Sequence, residues 1–103
     1  MLFKGVNKMK PSKTFKVISD ELFAVKKAGY KLDPNSEYET DFEEILEGIT
    51  WPERENEKYN MIDSFYDLDG ANLCEDENGE LYAVEFYYTG KPIIWKKVVP
   101  RNN

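Results

Sequence analysis

The sequence predicts an α+β domain, with an N-terminal amphipathic helix and one or two short helices packed on a C-terminal three-stranded antiparallel meander. Three observations carry that expectation. Phe15, Ile18, Leu22 and Val25 recur at spacings of three and four, the apolar face of a helix. Thr40 and Glu43 have the spacing of a capping box, a hydroxyl at the cap and a glutamate three residues on. Asn78-Gly79 and Thr89-Gly90 punctuate runs rich in β-branched and aromatic residues, the pattern of consecutive hairpins.

Residues 12–28 read as one helix, opened by Pro11-Ser12 and closed by Gly29 in a left-handed C-terminal cap. A strand over 14–18 followed by a helix capped by Ser19 is the competing reading, and the sustained three-and-four spacing favours the single helix. Residues 31–36 carry the Asp, Pro, Asn and Ser of a loop. After the capping box, Phe42, Ile45 and Leu46 give a short helix ended by Gly48. Pro52 suits a first helical position, and Glu53 and Glu55 suit the positive end of a helix dipole. Residues 59–68 fit helix and strand alike.

Strands are expected over 72–77, 80–88 and 92–99. Tyr82, Val84, Phe86 and Tyr88 alternate onto one face of the second, and Ile93, Trp95, Lys97 and Val99 onto one face of the third. A two-residue loop at Thr89-Gly90 sets Val84 opposite Trp95 and Phe86 opposite Ile93, both favourable cross-strand pairs. The whole chain, 1–103, reads as a single domain, with 1–11 a loose arm and 101–103 a frayed tail.

Charge is distributed in blocks. Residues 1–32 carry a formal +6, residues 33–85 a formal −16 and residues 86–103 a formal +4, which together give the net −6. A −16 block costs stability through self-repulsion. It is not a disordered acidic tail, because Tyr38, Phe42, Trp51, Tyr59, Phe65, Tyr66 and Tyr82 are interleaved with its carboxylates. The carboxylates are therefore expected to coat a folded surface.

Catalysis is not expected. The chain has no histidine, the commonest general base and metal ligand. Its one cysteine, Cys74, is followed by Glu75, Asp76 and Glu77, which disfavour a thiolate. No phosphate loop or dinucleotide fingerprint is present, and no cofactor is expected. A lone cysteine, the lack of a secretory h-region and the lack of a long apolar run point to a cytoplasmic protein with no membrane contact. Asp67, Asp69 and Gly70 have the aspartate spacing of a phosphatase nucleophile loop, but only 33 residues follow Gly70, too few for that α/β domain. Aligned with an EF-hand loop, Asp67, Asp69 and Asp76 take three ligand positions, while Phe65 occupies the first and cannot ligate. A weak Ca²⁺ or Mg²⁺ site there is one alternative. Direct nucleic-acid binding through Lys4, Lys8, Lys10, Lys13 and Lys16, extended by Lys26, Lys27 and Lys31, is another; the acidic block opposes it.

The leading expectation is a small acidic binding protein whose carboxylates meet a basic, nucleic-acid-handling partner and imitate phosphates. In composition it is similar to nuclease immunity proteins, antirestriction factors and phage anti-defence inhibitors. Glu37, Glu39, Asp41, Glu43, Glu44 and Glu47 make one candidate patch, with Trp51 an aromatic anchor. Glu75, Asp76, Glu77 and Glu80 at the hairpin tip make a second. A face that is merely solvated, neutralised in part by the basic ends, is the competing reading.

Overall fold

The computed structural model describes residues 13–101. The expected arm over 1–11, the helix start at Pro11-Ser12 and the last two residues lie outside them. In chain order the elements are β1 (Lys16–Ser19), α1 (Ala24–Lys27), β2 (Tyr30–Leu32), β3 (Glu39–Thr40), α2 (Phe42–Ile45), α3 (Glu53–Asp67), β4 (Asn72–Glu75), β5 (Leu81–Phe86) and β6 (Pro92–Pro100). The strands form one six-stranded antiparallel sheet in the order β1-β4-β5-β6-β2, with β3 also paired to β6. The expected helix-on-meander architecture is overturned: the protein is mostly sheet. The three strands of the meander are its centre, and three more strands extend it at both edges.

The expected single helix over 12–28 is a strand and one turn of helix. β1 pairs with β4, Val17 opposite Cys74 and Ser19 opposite Leu73, with Ile18 bulged between them. Thr14, Val17 and Ile18 are β-branched and suit a pleated surface. The open edge of β4 offers them a ladder that a helix on the sheet would leave unpaired. The bulge also twists this edge strand, a device that discourages pairing with other chains. Phe15 is not on a helical face at all. It crosses the sheet and packs edge-on against Tyr82 and Trp95, with ring centroids 5.3 and 5.7 Å away. The chain then turns into α1, which buries Ala24 and Val25. Gly29 follows at φ +90°, in the left-handed conformation expected of a cap.

β2 and β3 lie on the same edge of β6, with 33–38 looping away between them. The Asp33 N–H donates to Lys97 O, and the Asp33 carboxylate accepts the Asn35 N–H at 2.9 Å, which turns the chain outward. At the far end Arg101 donates from its backbone to Gly29 O. The capping box does not form: Thr40 pairs in β3, and α2 starts one residue later, after Asp41.

Both meander turns have three residues rather than two. Gly79 N–H donates to Asp76 O, Gly90 N–H donates to Tyr87 O, and both glycines have φ above +80°. This is a type I turn closed by a left-handed residue. Val84 faces Trp95 as expected, but Phe86 faces Pro92, because Ile93 is bulged out of the ladder. The bulge absorbs the extra turn residue, so most of the β5–β6 register survives.

The sheet is buried on both faces. Leu73, Ala83 and Ile94 point to one side and pack with Val25, Phe42, Leu46, Phe65 and Leu68 from the helices and their ends. Cys74, Tyr82, Val84 and Trp95 point to the other and are covered by Phe15 and Phe86. Lys96 and Glu85 are the charged exceptions, and Glu85 carries a buried polar atom. Its Oε1 is buried without a hydrogen-bond partner. Burial raises its pKa above the ordinary 4.5, a Ser64 hydrogen bond opposes that, and Asp69 adds to it. A raised folded pKa means that stability present at low pH is lost as pH rises through that value. Glu85→Gln is therefore expected to stabilise the protein by about 1 kcal/mol at pH 7. The gain should shrink at pH 4, read from urea midpoints at the two pH values. An equal gain at both would show that ionisation of Glu85 is not the cause.

Candidate functional site

Residues 59–68 resolve as helix, the greater part of α3. Its inner face is thin, with Phe65 its one fully buried side chain and Met61 and Ile62 partly covered. Its outer face carries a ridge of residues four apart, Glu55, Tyr59, Asp63 and Asp67, all exposed. The ridge spans roughly 18 Å along the axis. Tyr66 stands beside it, and Trp51 lies just before the helix. Trp51 is 75% exposed and Tyr59 73%, unusual for side chains whose burial is worth so much.

Among the described residues, four ion pairs join the basic ends of the chain to the acidic block: Lys13–Asp76 at 3.7 Å, Lys16–Glu75 at 4.0 Å, Lys91–Glu44 at 3.6 Å and Lys97–Glu80 at 3.6 Å. Within the block, Glu43 takes Arg54 at 2.9 Å and Lys58 at 3.4 Å. Glu39 accepts the Trp95 indole N–H at 3.1 Å. So Glu39, Glu43 and Glu44 in the first candidate patch, and Glu75, Asp76 and Glu80 in the second, already have partners in this chain. Asp41 is half-buried at the start of α2. Glu37, Glu47 and Glu77 are exposed, but they are scattered over a loop, a helix end and a hairpin tip.

Sequence reasoning missed Asp63 and read Asp67 only as a metal ligand. No lysine or arginine among the described residues pairs with either of them or with Glu53. Asp67 ends α3, where the helix dipole is negative and no basic residue of the last turn offsets it, and Asp63 lies one turn earlier. A carboxylate there costs about 0.3–1 kcal/mol, and two placed four apart repel each other as well. Their signal in the sequence is the four-residue spacing, readable only once 59–68 is known to be helical.

Asp76 has a structural task. Its Oδ1 accepts the N–H groups of Asn78 and Glu80, each at 2.9 Å. Burial alone would raise its pKa, but those two donors and Lys13 outweigh it and hold the carboxyl below its ordinary range. A depressed folded pKa gives stability that is present above the unfolded value and is lost as pH falls through the folded one. Asp76→Ala is expected to lower the melting temperature by several degrees at pH 7 and to lose that deficit near pH 3. Asp76→Asn, which keeps the acceptor, should fall between the two. Parent-like melting of Asp76→Ala at pH 7 would remove Asp76 from this role.

The three residues of the Ca²⁺ or Mg²⁺ alternative do not meet. Asp67 and Asp69 precede β4 and Asp76 follows it, with roughly 13 Å of extended strand between. Among the described residues no three His, Cys, Asp or Glu side chains are grouped to hold a metal. Cys74 is fully buried, and burial pushes its thiol up to about 12, so it is no nucleophile near neutral pH. Of the lysines in the nucleic-acid alternative, Lys4, Lys8 and Lys10 lie outside the described residues. Lys13 and Lys16 are drawn onto the acidic block. No helix among the described residues is long and apolar enough to cross a membrane. No family model, no curated protein and no solved structure matches this chain.

Proposed function

We propose that this chain is a non-catalytic binding domain that uses the outer face of α3 to hold a basic surface of another protein. The observation that carries the reading is the placement of Asp63 and Asp67. Lysines from the basic ends of the chain pair with the hairpin tip and α2, while these two carboxylates keep no counter-ion among the described residues and Asp67 opposes the helix dipole. A solvated face selected for stability would carry lysine there. Exposed Tyr59 and Tyr66 between the carboxylates supply the aromatic anchors on which affinity usually rests. The carboxylates supply steering and orientation. A groove that normally holds nucleic acid is basic and accepts a rigid row of anions, so the partner class we favour is a nucleic-acid-handling protein, inhibited by occupation of that groove.

The test uses a trade-off. Asp63→Lys/Asp67→Lys is expected to raise the melting temperature of the isolated protein, because it removes the dipole conflict at Asp67 and thins the crowd of like charges on this acidic face. The same variant should lose the partner. Pull-downs from the native host at low salt should retain a basic protein with the parent and release it at high salt. The double variant and Tyr59→Ala should each recover at least tenfold less. If the double variant retains the same protein as well as the parent does, or if the parent retains no basic protein, the reading is wrong.

A further inference from the structure

The loop over 33–38 stands away from β6 between the stretches paired to β2 and β3, and it opens a cleft on the helix-bearing side of the sheet. That cleft is shallow and open, with a volume of about 480 Å³, and is lined by Ser36, Glu37, Tyr38, Tyr66 and Lys96. The volume is in the range of small-molecule sites. Lys96 comes from β6 and is only 9% exposed. Lysine commonly buries its apolar stem and keeps its ammonium at an opening. Yet in a chain with twenty acidic residues, no carboxylate among the described residues pairs with this one. Its ammonium instead lies 5.5 Å from the centre of the Tyr66 ring, a cation–π contact. Tyr38 meets Tyr66 edge-on at 5.9 Å, so the two rings wall the cleft beside the cation.

We infer that this cleft binds a small ligand bearing a single carboxylate on a flat, apolar body. The Lys96 side chain lies along the cleft with its stem covered, and no carboxylate among the described residues forms an ion pair with its ammonium. The ring walls suit a planar group. A phosphate fits less well. Phosphate sites favour forked arginine donors or several backbone N–H groups, whereas here one ammonium faces a rim that also carries Glu37. Glu37 penalises a dianion more than a monoanion. The inference shares Tyr66 with the basic-partner reading, but Lys96 and Tyr38, which its test varies, play no part in the ridge formed by Tyr59, Asp63 and Asp67.

Benzoate is the probe, with benzyl alcohol as its neutral counterpart and phenyl phosphate as its dianionic one. Titrations followed by amide and lysine NMR shifts should give saturable benzoate binding, with shifts concentrated at 36–38, Tyr66 and Lys96. Benzyl alcohol should bind at least tenfold more weakly, and phenyl phosphate no more tightly than benzoate. Lys96→Met keeps the apolar stem and should weaken benzoate at least tenfold. Tyr38→Ala, at an exposed loop position, should weaken it severalfold and serves in place of the Lys96 variant if that one does not fold. Equal binding of benzoate and benzyl alcohol, unchanged benzoate binding by the folded variants, or tighter binding of phenyl phosphate each overturns the assignment.

Discussion

Phe65→Ala lowers the stability of this protein by about 3–5 kcal/mol, the largest loss expected from any one side chain. Phe65 is completely buried and is the one residue of α3 that is. The rest of the helix's inner face is Met61 and Ile62, both partly exposed, with polar residues around them. A single ring therefore fixes a 15-residue helix to the sheet. Its neighbours Leu46, Leu73 and Ile94 come from three separate elements or their ends, so the cavity left by alanine has no single element that can shift to fill it. A domain of this size has about 5–15 kcal/mol in all, so the loss removes about a fifth of it or more. Denaturant unfolding should show the midpoint falling with little change in slope. Tyr59→Ala, on the exposed side of the same helix, should change stability by no more than about 0.5 kcal/mol. A Phe65→Ala loss below about 1 kcal/mol would mean that other contacts hold the helix.

The meander was legible because its information is local. Turn glycines and alternating side chains lie within a few residues of one another, and the Val84–Trp95 pairing follows from them. The turn type was less legible, since Asn78-Gly79 suits a two-residue turn as well as the three-residue turn that Asp76 stabilises through its own side chain. The added strands were illegible for a different reason. β1 finds its partner more than fifty residues away in β4. The spacing of Phe15, Ile18, Leu22 and Val25 is helical, while the open edge that overrides it exists only in the folded sheet. β2 and β3 have three and two residues, too few to show a period. They are defined by β6, whose nine residues extend past β5.

The candidate site divides in the same way. That the chain carries an acidic, aromatic surface could be read from composition. Which carboxylates are available could not, because availability depends on where lysines from the two ends fold. Glu43 and Glu44 were conspicuous in the sequence and are paired. Asp63 was inconspicuous and Asp67 was read only as a metal ligand, and neither forms an ion pair among the described residues. The Lys96 cleft had no sequence signal of its own, since a lysine in a strand looks like any edge residue until its neighbours are in place.

Arg54→Met is expected to cost about 2–3 kcal/mol, the second largest effect. Arg54 is in the first turn of α3, and its side chain reaches back to the end of α2. Nη1 donates to Leu46 O at 2.6 Å, and Nη2 donates to the Glu43 carboxylate at 2.9 Å and to Glu43 O at 3.4 Å. The last carbonyls of a helix have no partner within it. α2 has only four residues, too few to hold itself together. The forked guanidinium therefore ties α2 and the turn after it to α3. That turn leads to Trp51, so the clamp also sets where the aromatic enters the proposed contact face. Methionine keeps the apolar stem and removes only the donors. Arg54→Lys should recover little, because an ammonium cannot serve divergent acceptors as the fork does. Glu43→Gln should cost less than Arg54→Met, because the carbonyl bonds remain. The pH dependence gives an independent readout. Arg54 first, and then Lys58, holds the Glu43 carboxyl below its ordinary range. The parent thus has stability above the unfolded value that it loses as pH falls through the depressed one. Arg54→Met should lose less on acidification than the parent does. Full recovery by Arg54→Lys, or an unchanged acid limb in Arg54→Met, would mean that α2 is held by packing of Phe42 and Leu46 alone.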